Sequence, residues 1–168
     1  YVTTEDLPIL YTLTGHGEAT IGTSLQESVD NENIQVKSLS LLETESVPED
    51  CDCLLITGPT GDISEKEAEA IKAYLEAGGS MLLFTDFTDT PLSNLFGLME
   101  NYGVHGENNF VCEGSQNNYY MYPYYLLPEQ SSHEITDPLI NGKYYILQPI
   151  AHGITLQDSY RSTLSITG

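Results

Sequence analysis

Residues 53–86 read CLLITGPTGDISEKEAEAIKAYLEAGGSMLLFTD, and their pattern decides the fold class. Cys53 to Thr57 is almost wholly apolar, as a central parallel strand is when both faces of its sheet are covered. Gly58-Pro59-Thr60-Gly61 then turns the chain. Ser64 with Glu67 three residues on is a capping box, hydroxyl and carboxylate each satisfying an orphan backbone donor at a helix start. Ala68, Ile71 and Leu75 supply the apolar stripe of that helix, and Gly78-Gly79 a left-handed stop. Ser80 to Thr85 is a second strand, ending at Asp86. Strand, capped helix and strand in so short a stretch make a βαβ unit, the building block of a helix-covered parallel sheet.

The same alternation extends both ways. Toward the amino end, a strand from Pro8 to Leu13 stops at Gly15-His16-Gly17-Glu18. A helix follows with Ile21, Leu25 and Val29 on one face, closing at Asp30-Asn31-Glu32-Asn33. Ile34 to Leu42 is the next strand, and Pro48-Glu49-Asp50 leads into the one quoted above. Toward the carboxyl end, Leu92 to Tyr102 forms a third helix through Leu95, Phe96 and Met99, ended by Gly103. These units predict an α/β fold, a doubly wound and mostly parallel sheet. Beyond Val104 the regularity fails. The C-terminal third is expected to add antiparallel strands around Phe110 to Cys112 and Tyr119 to Leu126, with a turn at Gly114 to Asn118 and a last strand within Ser162 to Ile166.

The chain has 168 residues with 25 Asp and Glu against 5 Lys and Arg, a net charge of -20. That length fits one domain, 1–168, with a hydrophobic core of its own. Its cations are scattered singly, so no basic stripe exists to neutralise phosphates, which excludes nucleic acid and disfavours docking on anionic lipid. Apolar runs such as Met81 to Phe84 fall far short of the ~20 residues of a membrane helix. Tyr1 opens the chain in place of Met and it stops after TLSITG, so it reads as a segment excised from a longer protein. Cys51, Cys53 and Cys112 lack metal-ligand spacing, and Cys51 and Cys53 are expected to be reduced and mostly buried.

In an open α/β sheet, ligands gather at the carboxyl ends of the strands. The sequence places His16 and Glu18 there after strand one, Gly58 and Thr60 after strand three, and Asp86 after strand four. His16 could serve as a base or ligand with Glu18 orienting it; equally, the glycines turn the chain and Glu18 complements a helix dipole. No catalytic residue, metal or cofactor is expected. The strand-three turn, TGPTG, holds no Ser or Cys where a nucleophile elbow would lie, and Pro59 removes a backbone donor there. Gly15-His16-Gly17 lacks the third glycine of a dinucleotide fingerprint, and no G-K-[ST] is present. The run NNYYMYPYY, Asn117 to Tyr125, is the most unusual composition. Its tyrosines, Tyr120, Tyr122 and Tyr124 among them, make either an aromatic platform for a protein or glycan, or a hairpin with Pro123 marking an edge strand.

Five stretches taken together, YTLTGHGE (11–18), VPEDCDCLLITGP (47–59), YLEAGGSMLLF (74–84), the Leu95 to Val104 segment ending in YGV and HEITDPL (133–139), resemble the GldG-like auxiliary proteins of ABC-type uncharacterised transport systems. The resemblance implies a flavodoxin-like, class I glutamine amidotransferase-like fold without the nucleophile. It further implies an extracytoplasmic domain, anchored by membrane helices outside this segment, whose partner is an ABC transporter permease or another envelope protein. The function it suggests is a non-enzymatic binding or assembly domain with a small-molecule or glycan ligand. The alternatives are a degenerate amidotransferase-like or ThuA-like domain retaining carbohydrate binding or weak hydrolysis at His16, Glu18 and Asp86, and a structural spacer.

Overall fold

The structure, a computed structural model, describes residues 7–107 and 109–157. The expected strand within Ser162 to Ile166 lies outside the described residues. The fold is mixed α/β, a four-stranded parallel sheet with two small antiparallel sheets, and the chain divides into two compact units meeting in sequence at Leu98 and Met99.

The first unit holds β1 (Ile9–Leu13), α1 (Thr23–Asn31), β2 (Gln35–Leu39), β3 (Cys53–Thr57), α2 (Glu65–Glu76), β4 (Ser80–Phe84) and all but the last two residues of α3 (Ser93–Glu100). The strands lie in the order β2-β1-β3-β4, all parallel. The chain thus runs outward from β1 in one direction and from β3 in the other, so the carboxyl ends of these two neighbours form the switch point where such sheets hold ligands. Leu54, Leu55 and Ile56 of β3 are all buried, because β3 lies inside the sheet and is covered on both faces. β4 has one paired edge and alternates instead, leaving Leu82 50% and Phe84 57% exposed.

Helix α2 follows its sequence signals closely. Ser64 Oγ accepts the Glu67 N–H and the Glu67 carboxylate accepts the Ser64 N–H, which completes the capping box. At its end Gly78, with φ of 98°, donates to Leu75 O and Gly79 donates to Tyr74 O, a Schellman closure. Gly79 is needed for a different reason: a Cβ there would strike the Tyr74 ring. The Tyr74 hydroxyl donates to Ser80 O and accepts the Ser80 N–H, fastening α2 to the start of β4. Burial, reinforced by the Cys51 thiol beside it, pushes this phenol well above its ordinary range.

Several boundaries differ from the sequence pattern. In α1 only Val29 is buried, whereas Leu25 is exposed and Ile21 precedes the helix; a strict spacing of four drifts about 40° per step around an α-helix. In α3 the inward residues are Leu95 and Leu98, with Phe96 and Met99 only partly covered. Its first N–H groups are capped from a distance, Asp62 accepting from Asn94 and Leu95. The β1–β2 and β3–β4 crossovers carry helices, but the β2–β3 crossover, residues 40–52, consists of turns.

The second unit contains β5 (Val104–Gly106), β6 (Tyr125–Leu126), α4 (Asp137–Asn141), β7 (Gln148–Pro149) and β8 (Ile154–Leu156). β5 pairs antiparallel with β8, and β6 with β7. Phe110 to Cys112 forms no strand, although Val111 donates to Ala151 O. Of Tyr119 to Leu126, only the last two residues enter a ladder, with an isolated bridge between Tyr119 and Leu126. Pro123 marks no edge strand: Tyr125 donates to Tyr122 O, so Pro123 sits at the second position of a β-turn, where its fixed φ is favourable.

Candidate functional site

The loops after β1, β3 and β4 converge at the switch point, as the sequence placed them. His16 O accepts the N–H groups of Thr60 and Gly61 at 2.9 and 2.8 Å, with the Thr60 hydroxyl at 3.4 Å. Gly17 has φ of 77° and faces Thr60 so closely that a Cβ would collide with its Oγ1. Gly58, φ 51°, lies against the Asp86 carboxylate, whose Oδ2 would be 3.2 Å from an added Cβ. Both positions therefore favour glycine by conformation, and Gly17 by space as well.

The side chains do not form the open crevice expected around His16 and Glu18. His16 is 9% exposed and turned inward, and the Glu18 and Glu67 side chains are each 4% exposed. Nδ1 lies 3.1 Å from Glu18 Oε1, and Nε2 lies 3.2 Å from Glu67 Oε2. An imidazolium donates from both nitrogens and satisfies both contacts. Glu18 Oε2 also accepts the His16 N–H at 2.8 Å, which folds the β1 loop back on itself. The physical reason for the inward turn is Glu67: a cap residue on α2 whose carboxylate completes the charge pairing only beneath the loops.

Glu67 is the member of this cluster that its sequence signal presented as a cap alone. Burial pushes its carboxyl up, but the Ser64 N–H and hydroxyl together with the His16 imidazole outweigh that and hold it below the ordinary glutamate range. Its two oxygens are not equivalent. Oε2 accepts from Ser64 N and faces His16 Nε2, whereas Oε1, also 3.2 Å from Nε2, is too poorly aligned to accept a hydrogen bond and has no such partner among the described residues.

The remaining candidates fall elsewhere. Thr60 and Asp86 are exposed at the switch point, while Pro59 is fully buried. Tyr120 and Tyr122, 57% and 46% exposed, stand with the half-buried Tyr124 in the second unit. The Tyr122 and Tyr124 rings stack with centroids 5.4 Å apart and planes within 3°, and Tyr125 meets both edge-on. All three cysteines are free: Cys51 buried, Cys53 half-buried, Cys112 exposed. Burial pushes the Cys51 and Cys53 thiols up, away from the reactive thiolate form. Among the described residues no three His, Cys, Asp or Glu side chains are placed to hold one metal ion, and no helix is long and apolar enough to cross a membrane.

Residues 8–142 match the family model described as ABC-type uncharacterized transport system. No curated protein matches the chain. Among solved structures it is similar to the mmIFT52 N-terminal domain, with 18% identity and a TM-score of 0.66, over 89% of this chain and 69% of that one. At that identity the likeness concerns the fold alone.

Proposed function

Because the chain belongs to the ABC-type uncharacterized transport system family, as an auxiliary component, we propose that it is a non-enzymatic binding or assembly domain held on the extracytoplasmic side of the membrane, GldG-like, with an amidotransferase-like fold that has no nucleophile. The observation that carries this reading is the state of His16. The one imidazole at the switch point spends both ring nitrogens on buried carboxylates, so it has none to activate a nucleophile or a water. The turn after β3 offers buried Pro59 in the place of an elbow residue. Contact falls to the exposed tyrosines of the second unit, which supply broad area at low entropic cost, and the partner is a permease or another envelope protein.

The purified chain should turn over neither glutamine, simple esters nor glycosides, with or without divalent metal. Turnover that disappears in His16→Gln, with circular dichroism unchanged, would overturn the non-enzymatic reading. Co-expression with the permease of the same transport system should give a complex that Tyr120→Ser with Tyr122→Ser weakens; an unchanged complex would remove the tyrosines from the interface. A second reading draws on the stacked Tyr122 and Tyr124 rings, of which the exposed Tyr122 suits a sugar ring as it does a protein. Oligosaccharide binding lost in the same double variant would favour it.

A further inference from the structure

We infer that the flank of α2 left open by the helix-free β2–β3 crossover is a docking groove for a short amphipathic helix of another protein, apolar on its buried face and carrying Lys or Arg along its edges. Parallel strands of one sheet need a crossover, and that crossover is usually a helix packed on the sheet. Residues 40–52 join β2 to β3 with turns in place of a helix, and this connection meets α2 where the Cys51 thiol donates to the Tyr74 hydroxyl and Cys51 O accepts from it. Two openings of about 800 and about 610 Å³ run there end to end, sharing Glu45 and Ala70 in their walls.

The wall from α2 is Lys66, Ala70, Ala73 and Ala77, spaced by four, three and four so that they share one helical face. Three alanines let another backbone come close. The opposite wall offers the exposed Leu42 as an apolar contact, with the buried Leu41 and Val47 behind it. With 12 residues, α2 gives the groove a length of about 18 Å, which fits an occupant of about three turns.

Charge selects the occupant. Glu43, Glu45, Glu49 and Glu69 line the groove against the single cation Lys66. At its head Glu67, 3% exposed, holds Oε1 without a hydrogen bond. A second copy of this chain carries the same charge of -20 and would be repelled. A helix with basic edges is attracted, and its apolar face meets Leu42 and the alanines in the helix-in-groove manner. This proposal rests on the reading of the chain as a protein-binding domain and names the chemistry of one partner. It concerns a surface separate in sequence from the tyrosines.

The test uses the whole chain and a labelled synthetic peptide of about 14 residues, Leu on one face and Lys on its flanks, titrated by fluorescence anisotropy at about 0.15 M salt. Two controls accompany it: a scrambled peptide of equal composition, and a twin with Glu for Lys. The Lys helix should bind at least about tenfold more tightly than either control. Ala73→Trp, which fills the groove, and Glu43→Lys with Glu45→Lys, which reverses its edge, should each weaken binding by about tenfold or more. Ala77→Trp repeats the blockade should Ala73→Trp fold poorly. Equal binding of the scrambled peptide, no binding of the Lys helix, or indifference to the Trp substitutions would each overturn the groove. None of these results depends on Tyr120 or Tyr122, so the permease experiment fails or succeeds independently.

Discussion

The two units achieve order by different means. Every buried hydrophobic side chain among the described residues lies at or before Leu98, whereas every residue from Asn141 to Ile150 is exposed. The first unit is a covered parallel sheet with a dry core around Leu54, Ile56 and Ile71. The second is held by ladders two or three residues long, scattered backbone hydrogen bonds and a stack of tyrosines. Burial of apolar area dominates folding free energy, so the first unit holds the described core while the second leaves large apolar side chains such as Tyr120, Tyr145 and Ile154 exposed.

The sharpest way to break this contrast is Ile71→Ala. Ile71 is fully buried, so truncation should cost about 2–5 kcal/mol and shift the urea midpoint of the far-ultraviolet circular dichroism accordingly. A loss under about 1 kcal/mol would mean that α2 is not part of the central core.

Next in size is Glu67, where cap and charge pair meet. Glu67→Gln keeps a cap-competent side chain but removes one of the two carboxylates around His16, and should cost about 1–3 kcal/mol at neutral pH. The folded carboxyl titrates below its ordinary value of 4.5, so its stabilisation is present above that pH and fades as pH falls through the folded value. Denaturation midpoints of the parent and the variant should therefore converge on acidification. Parallel curves would show that the Glu67 charge contributes nothing to stability.

What the sequence made legible tracks how local the physics is. The βαβ unit could be read from residues 53–86 because an all-apolar run, a capping box and a Gly-Gly stop each act within a few positions. Ser64→Ala tests that directly, with an expected loss of about 1 kcal/mol; an unchanged midpoint would leave the cap without energetic weight. The His16–Glu67 contact spans 51 residues, and no short pattern announces it. The sequence did bring His16, Glu18, Gly58, Thr60 and Asp86 to the right edge of the sheet. It expected His16 and Glu18 to line an open crevice and missed the inward turn of the imidazole, because the partner, Glu67, was already explained as a cap. The second unit stayed illegible for a different reason: two-residue ladders are too short to show a period of two.

The smallest effect should come from the second unit, and there the contrast is most exposed. Tyr122 is 46% exposed and meets Tyr124 face to face and Tyr125 edge to face, on a turn whose unit contributes no buried hydrophobic side chain among the described residues. An aromatic pair adds about 0.5–1.5 kcal/mol beyond area burial when well covered, so Tyr122→Ala should cost about 0.5 kcal/mol, the lower end. The chain has no tryptophan, and seven of its twelve tyrosines lie between Tyr119 and Tyr145, so tyrosine emission reports mainly on the second unit. Circular dichroism reports mainly on the first, which holds the three longer helices. Urea unfolding followed by both probes should leave the dichroism midpoint of Tyr122→Ala at its parent value while the emission changes earlier. If Tyr122→Ala instead moved both midpoints together by as much as Ile71→Ala, the two units would unfold as one, and the tyrosines would belong to the scaffold.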